Sequence, residues 1–143
     1  MASIIVDTNI VVYSYDPRDL RKQRIAAELL RHGLAEQSIC ISYQTVVEFY
    51  AAITRRDRNS GVSLLDRAAA AREMEKMLAE FAVLYPTEDI IRAAMHGTVV
   101  YQLPWFDALM WAYAEINGLT ELLSEDFQHG RLYGHVRITN PFQ

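Results

Sequence analysis

The chain has 143 residues, of which 51% are hydrophobic and 22% charged, and its net charge is −4. These values predict one globular domain over residues 1–143, and the negative charge argues against broad, non-specific nucleic-acid binding through bulk charge. The single cysteine, Cys40, excludes an internal disulfide and fits a reducing cytoplasm. We expect no signal peptide, because the N-terminus is not basic, and no membrane span, because the longest uncharged apolar run is below the ~20 residues required.

The first third of the chain contains a predicted strand and two predicted helices. Residues 3–6 are β-branched and apolar, which predicts a buried strand, and residues 9–15 predict a short helix. Asp16 and Pro17 read as a helix N-cap followed by proline at the first helical position. Gly33 is the expected end of that longer helix.

The middle of the chain predicts a strand followed by a helical hairpin. Residues 39–41 form a second buried strand, and residues 44–56 form a helix that the polar loop 57–61 ends. Ser63 to Asp66 is a capping-box pattern that predicts a helix running to about Phe81.

The last third adds three predicted strands and two helices. The strands are 82–85, 121–124 and 136–139, and the helices are Thr87 to Leu103 and Trp105 to Asn117. The second of these helices is apolar on nearly every side and is therefore expected to be buried. Strands separated by helices predict an α/β fold with three layers, in which helices cover both faces of a central parallel sheet of about five strands.

Three carboxylates each stand alone in a long uncharged segment. Asp7, Glu48 and Asp107 are surrounded by Ile, Val, Ala, Leu and aromatic residues, and we expect each to be at least partly buried. A buried carboxylate without a partner costs several kcal/mol and normally loses its charge or binds a cation. Because no Lys or Arg lies nearby in sequence for each of them, a metal ion is the expected partner.

The predicted topology brings these acids to one edge of the sheet. Asp7 follows the first strand, Asp126 follows the fourth, and Asp107 lies near the start of the buried helix that precedes it. Glu48 lies about one turn into the helix after the second strand. Open α/β folds bind ligands at the edge where parallel strands end. Asn9 and Ser124 lie beside these acids and are suited to orient a carboxylate or a metal-bound water.

Three sequence pieces carry a resemblance to a known family. They are Val6-Asp7-Thr8-Asn9, Val47-Glu48-Phe49, and the stretch from Trp105-Phe106-Asp107-Ala108-Leu109 to Leu123-Ser124-Glu125-Asp126-Phe127-Gln128-His129-Gly130. In their order and spacing, the chain resembles PIN-domain nucleases, and among them the VapC-type toxins of bacterial toxin–antitoxin pairs.

The resemblance implies a Mg²⁺- or Mn²⁺-dependent endoribonuclease that forms a homodimer and is silenced by a cognate antitoxin protein. It also favours Asp126 over the neighbouring Glu125 as the fourth acid, and Glu125 is then expected to be solvated. The donor chemistry agrees, because hard divalent cations prefer oxygen ligands and cleave phosphodiesters by stabilising charge on the phosphate and leaving group. Asp7, Glu48, Asp107 and Asp126 are the candidate catalytic and metal-binding residues.

Other interpretations remain open at this stage. Asp7 and Asp107 could be helix caps, and Glu48 could form a salt bridge with Arg55 or Arg56. The chain could also be a non-catalytic PIN-like scaffold that binds RNA or a partner protein.

Two further surfaces have predicted roles. The arginine cluster at 55, 56 and 58 is either a solvated helix end or a rim that binds phosphate. The helical hairpin of residues 44–81 is predicted to bind an amphipathic antitoxin helix through a groove, whose expected lining is Tyr50, Ile53, Leu65, Met74 and Met77. The helix from Thr87 to Leu103 is the expected dimer face.

Overall fold

The computed structural model of the protein describes residues 2–143, which form six strands and six helices; a pair of helices follows each of the first three strands. The strands are β1 (Ile4–Val6), β2 (Ile39–Ser42), β3 (Ala82–Leu84), β4 (Glu121–Leu123), β5 (Leu132–Tyr133) and β6 (Val136–Thr139). The helices are α1 (Thr8–Tyr13), α2 (Leu20–Glu36), α3 (Tyr43–Thr54), α4 (Arg67–Glu80), α5 (Glu88–Val100) and α6 (Trp105–Ile116).

The strands form one sheet in the order β3-β2-β1-β4-β6-β5. Every neighbouring pair is parallel except β5 and β6, which are antiparallel. The predicted α/β class and parallel core are confirmed, but the prediction of about five strands missed β5. That strand has only two residues, and a tight turn joins it to β6 through Gly134 at φ 58°. Such a short strand has no alternation of apolar and polar residues by which to recognise it.

The sheet separates two apolar cores, which accounts for the three layers. One core packs α5 and α6 against the sheet around Ile90, Met110 and Trp111. The other packs the first four helices against the opposite face around Ile10, Phe49 and other buried residues. Because both faces are covered, the central strands are mostly apolar, and all four residues of β2 are buried.

The start and end of α2 differ from the prediction. Asp19, not Asp16, caps the helix, because its carboxylate accepts a hydrogen bond from the backbone N–H of Lys22 at 3.1 Å. Asp16 instead pairs with Arg18 at 2.8 Å. Gly33 lies inside the helix, where a Cβ atom would come within 2.2 Å of Ile39, so its role is close packing and not termination.

The helical hairpin also differs from the prediction. The helix α4 begins at Arg67 with Asp66 as its cap, and the Ser63 hydroxyl donates instead to the carbonyl of Leu65. Of the residues predicted to line a partner groove, Ile53 and Met77 are buried in the protein's own core. The other three, Tyr50, Leu65 and Met74, pack against that core while partly buried. The residues predicted to line a partner groove therefore belong to the protein's own core.

The carboxyl ends of the adjacent strands β1 and β4 create the edge on which the candidate residues lie. The backbone N–H of Asp7 donates to the carbonyl of Leu123 at 2.9 Å, which extends the pairing of the two strands by one residue. Asp7 and Ser124 thus leave the sheet side by side. Within residues 2–143, none of the helices combines the length and apolar character needed to cross a membrane.

Candidate active site

Asp7 caps a helix and also lines a cleft at the edge of the sheet where β1 and β4 end. Its Oδ1 accepts a hydrogen bond of 2.8 Å from the backbone N–H of Thr8, which caps α1, and its Oδ2 accepts one of 2.7 Å from the Ser124 hydroxyl. The side chain is 8% exposed, so this carboxylate is held in a largely dry position. The capping role that the sequence left open is present, and it leaves Asp7 in the wall of the cleft.

Glu48 lies in the second turn of α3 and is fixed from two sides. The Thr8 hydroxyl donates to its Oε1 at 2.7 Å, and the Gln44 amide, four residues earlier on the helix, approaches the same atom at 3.4 Å. Within residues 2–143, Glu48 forms no ion pair, and so the alternative of a bridge to Arg55 or Arg56 is not seen.

Asp107 and Asp126 complete the acidic set from the other side. Asp107 is in the first turn of α6, whose N-cap position is Pro104, so Asp107 is not the cap of that helix. Asp126 follows β4, and its backbone N–H donates to the Ser124 hydroxyl oxygen at 3.1 Å. The Asn9 amide donates to Asp126 Oδ2 at 3.3 Å.

Glu125 faces away from this group, although it is next to Asp126. Its carboxylate accepts from Lys22 Nζ at 2.7 Å and from the Tyr13 hydroxyl. The expectation that Glu125 is solvated was wrong, because its side chain is only 18% exposed in this ion pair.

All four candidate acids line one cleft of about 310 Å³, at the edge where β1 and β4 end. Besides Asp7, Glu48, Asp107 and Asp126, the lining includes Thr8, Asn9, Gln44, Ala51, Ala52, Arg55 and Phe106. Four different elements of the chain therefore bring their acids together.

Two of the four carboxylates, those of Asp7 and Asp107, have a raised affinity for protons. Burial is the main reason that the pKa of Asp7 is raised to about 7, and the negative charge of Asp126 raises it further, while the Ser124 hydrogen bond opposes the shift. The pKa of Asp107 is raised by burial first, and then by the charges of Asp126 and Glu48. None of the four acids has an ion pair with Lys or Arg within the described chain. Negative charge is thus concentrated without a direct ion-pair partner, although Arg55 also lines the cleft.

The donor set fits a hard divalent cation. It offers only carboxylate oxygens, with Asn9, Thr8 and Ser124 as groups that orient them, and it contains neither Cys nor His. As they stand, no three Asp, Glu, His or Cys side chains among residues 2–143 are arranged as a closed metal-binding group.

Sequence reasoning missed the role of Gln44 and left open whether Thr8 caps the helix that begins there or orients the site. In the structure the Thr8 hydroxyl links Glu48 and Thr45 to the start of α1. Gln44 bridges Glu48 and the backbone carbonyl of Phe106 at 3.2 Å, which connects α3 to α6. The spacing of four residues between Gln44 and Glu48 was the available signal, because it puts both side chains on one helix face.

Comparison with known proteins defines the class. The sequence model of the PIN domain family matches residues 4–134, which is most of the chain. The protein therefore belongs to the PIN domain family. No curated protein sequence gives a significant match.

Solved structures with the same fold include several toxin–antitoxin complexes. A toxin–antitoxin complex from Klebsiella pneumoniae superposes with a TM-score of 0.68 at 20% identity, covering 97% of this chain and 98% of that one. DNA-bound VapBC from Salmonella typhimurium gives 0.69 at 14% identity, covering 99% of each chain. Mycobacterium tuberculosis VapC20, a sarcin–ricin loop cleaving toxin, gives 0.63 at 20% identity, covering 87% and 90%. At these identities the likeness establishes the fold.

Proposed function

We propose that this protein is a Mg²⁺- or Mn²⁺-dependent endoribonuclease and the toxin of a toxin–antitoxin pair. The observation that carries the proposal is the cleft in which Asp7, Glu48, Asp107 and Asp126 meet without a paired cation. Membership of the PIN domain family and the likeness in fold to VapC toxins support it. Its RNA substrate and its single, buried cysteine suit the cytoplasm.

The four acids would hold the metal, and their neighbours would keep them in place. A bound Mg²⁺ or Mn²⁺ would activate water and stabilise the charge that develops on the phosphate and the leaving oxygen. Asp7 and Asp107 are the best direct ligands, and Glu48 and Asp126 would act directly or through water. Three of the acids accept a hydrogen bond from a neighbouring side chain. The Ser124 hydroxyl donates to Asp7, the Thr8 hydroxyl donates to Glu48, and the Asn9 amide donates to Asp126. These bonds fix the orientation of the three carboxylates.

Purified protein tests the nuclease role directly. We expect the wild type to cleave RNA endonucleolytically in Mg²⁺, and Asp7→Asn and Asp107→Asn to abolish cleavage while retaining a cooperative melting transition. Without metal, both variants should melt at the same temperature as the wild type or higher, because they relieve repulsion. Glu75→Gln, which removes an exposed charge on α4, is the matched control and should cleave normally. A wild type that binds RNA but never cuts it would favour the non-catalytic scaffold.

The proposed antitoxin would place a basic side chain among the four acids. An Arg or Lys from the antitoxin tail would then compensate the charge that is otherwise unpaired in the cleft. The groove expected on the helical hairpin does not support this contact, because its residues pack inward. The proposal therefore rests on the charge of the cleft.

We propose that two copies of the protein form a homodimer through α5, the helix that was predicted from Thr87 to Leu103. Ile91, Met95 and Val99 follow one another at spacings of four residues, and their side chains are 45%, 50% and 78% exposed. A further apolar hollow of about 350 Å³ continues this surface beside Ile91, with Tyr43, Val47 and Trp105 in its lining. An exposed apolar stripe of this kind is typical of a protein–protein interface.

Expression in bacteria tests the toxin role separately from the nuclease chemistry. The wild-type gene alone should arrest growth, the Asp107→Asn gene should not, and the neighbouring small gene should relieve the arrest. Normal growth with active, intact protein would refute the toxin role and leave the nuclease site standing.

A further inference from the structure

A basic cleft of about 560 Å³ adjoins the acidic cleft. Its lining includes four arginines, Arg18, Arg55, Arg56 and Arg58, and only one carboxylate, that of Asp57. The protein as a whole carries a charge of −4, so this concentration of positive charge is local and opposite in sign to the rest. Such a surface attracts anions.

Three of the four arginines are available to a ligand. Arg18 is engaged, because it pairs with Asp16 at 2.8 Å and with Asp57 at 3.3 Å. Arg55, Arg56 and Arg58 are exposed, and none of them forms an ion pair within residues 2–143. Their guanidinium groups are therefore free to make the paired hydrogen bonds that suit phosphate oxygens.

The loop that carries Arg58 is ordered by its own hydrogen bonds. The Asp57 carboxylate accepts from the backbone N–H groups of Asn59 at 2.7 Å and Ser60 at 3.1 Å. The backbone of Asp57 also bonds to Val62 and Gly61, at 3.0 Å and 2.7 Å, which closes the loop. A pre-organised loop loses little conformational freedom on binding a ligand.

The basic and acidic clefts are continuous along α3. Ala52 and Arg55 line both of them. Glu48, Ala52 and Arg55 follow at helical spacing, so that Arg55 lies two turns, or roughly 10 Å, along the helix axis from the acid. An RNA strand whose scissile phosphate lies at the acids would pass Arg55 within a few nucleotides.

We propose that Arg55, Arg56 and Arg58 form a subsite for the backbone phosphates of single-stranded RNA to one side of the scissile bond. This inference rests on the proposed nuclease function and adds the path of the substrate. The charge complementarity and the shared wall of the two clefts favour RNA over an acidic protein segment as the occupant. Contacts of this kind position the strand without reading its sequence.

Binding measured in an inactive background tests the subsite. We would measure the affinity of the full-length Asp107→Asn protein for a fluorescently labelled single-stranded RNA that the wild type cleaves. The affinity would be measured again after adding Arg56→Gln and Arg58→Gln. We expect the affinity to fall about tenfold, with similar losses for unrelated sequences. The slope of log affinity against log salt should become shallower by about 1.4, or ~0.7 for each lost phosphate contact. Arg24→Gln with Arg72→Gln removes the same charge from exposed positions on α2 and α4, and should change neither value.

The other outcomes overturn the inference. An equal loss in the control pair would show a general charge effect and no subsite. Unchanged RNA binding together with lost binding to the antitoxin would assign the cleft to a protein partner. In both cases wild-type cleavage would leave the proposed function intact, whereas an absence of wild-type cleavage would refute that function first. Thermal melting of every variant checks that the exposed substitutions leave the fold unchanged.

Discussion

The hydroxyl of Ser124 donates a hydrogen bond of 2.7 Å to Asp7, across 117 positions of sequence. Both residues are buried, with Ser124 at 0% exposure, and each follows directly after a strand of the central sheet. The same Ser124 oxygen accepts from the backbone N–H of Asp126. One hydroxyl therefore ties two of the candidate metal ligands together, and the following predictions depend on this arrangement.

Ser124→Ala should weaken metal binding without unfolding the protein. Loss of the hydrogen bond removes the contact that opposes the rise in the pKa of Asp7, so its proton competes better with the metal. The affinity for Mn²⁺ should fall by about 10- to 100-fold, as is usual when a group orienting a metal ligand is removed. Titration of Mn²⁺ by calorimetry measures this effect.

Thr120→Ala, at the other end of β4, is the control for that experiment. Thr120 is exposed and distant from the acids along the strand. The affinity of the Thr120→Ala protein for Mn²⁺ should therefore match that of the wild type. Equal affinity in the Ser124 variant would mean that Asp7 does not contribute to a metal site.

Metal-free protein should lose stability as the pH rises from about 4 to about 7. In the folded state the pKa of Asp7 is raised from 3.8 to about 7, so the native state holds this proton more tightly than the unfolded chain. The contribution of Asp7 to stability is fully present below pH 3.8 and is lost as the pH rises through 7, with a slope of up to ~1.4 kcal/mol per pH unit.

Urea unfolding in EDTA, at a series of pH values, compares the wild type with Asp7→Asn to measure that slope. The asparagine variant should lack the part of the pH dependence that belongs to Asp7, and it should gain stability over the wild type as the pH increases. A constant difference between the two proteins across this range would contradict the raised pKa.

The adjacent acids Glu125 and Asp126 should respond differently to the same substitution. Asp126→Asn removes a carboxylate that lines the cleft and should reduce cleavage strongly. Glu125→Gln should retain most cleavage, because the Glu125 side chain bonds to Lys22 and Tyr13 on the far side of the turn. Its cost should instead be a lower melting temperature, since Lys22 loses a partly buried partner. Cleavage rates and melting curves for the two variants separate these effects; the reverse order of activity would assign the fourth acid to Glu125.

Metal removal should stop the reaction, and metal identity should decide its recovery. EDTA should abolish cleavage and Mg²⁺ or Mn²⁺ should restore it, while Zn²⁺ should work poorly because the ligands are carboxylate oxygens without Cys or His. Saturating Mg²⁺ should also raise the melting temperature by mass action. Differential scanning calorimetry with and without metal measures the shift, and Asp7→Asn should show a smaller one. Cleavage that persists in EDTA would point to general acid–base chemistry.

The sequence alone predicted the class of fold and the four acids that meet in one cleft. Apolar β-branched runs between amphipathic segments indicate buried strands joined by helical crossovers, which predicts the parallel part of the sheet. Asp7, Glu48 and Asp107 were distinguished because each is the only charge in a long apolar segment. Since parallel strands end at a common edge, their convergence with Asp126 followed from topology before any distance was known.

The tertiary structure decided the features that depend on contacts distant in sequence. Gly33 resembles a helix end in sequence, but it lies inside α2 in close contact with Ile39, and the helix ends at Glu36. Glu125 and Asp126 are adjacent acids that the family resemblance ranked in favour of Asp126; the structure shows Glu125 paired with Lys22, 103 residues away, and Asp126 in the cleft. The apolar faces of the α3–α4 hairpin could have met a partner or the sheet, and burial of Ile53 and Met77 shows that the protein's own core covers them. Local patterns determine which residues are apolar, charged or helical, whereas the choice of partner depends on which surfaces the completed fold brings into contact.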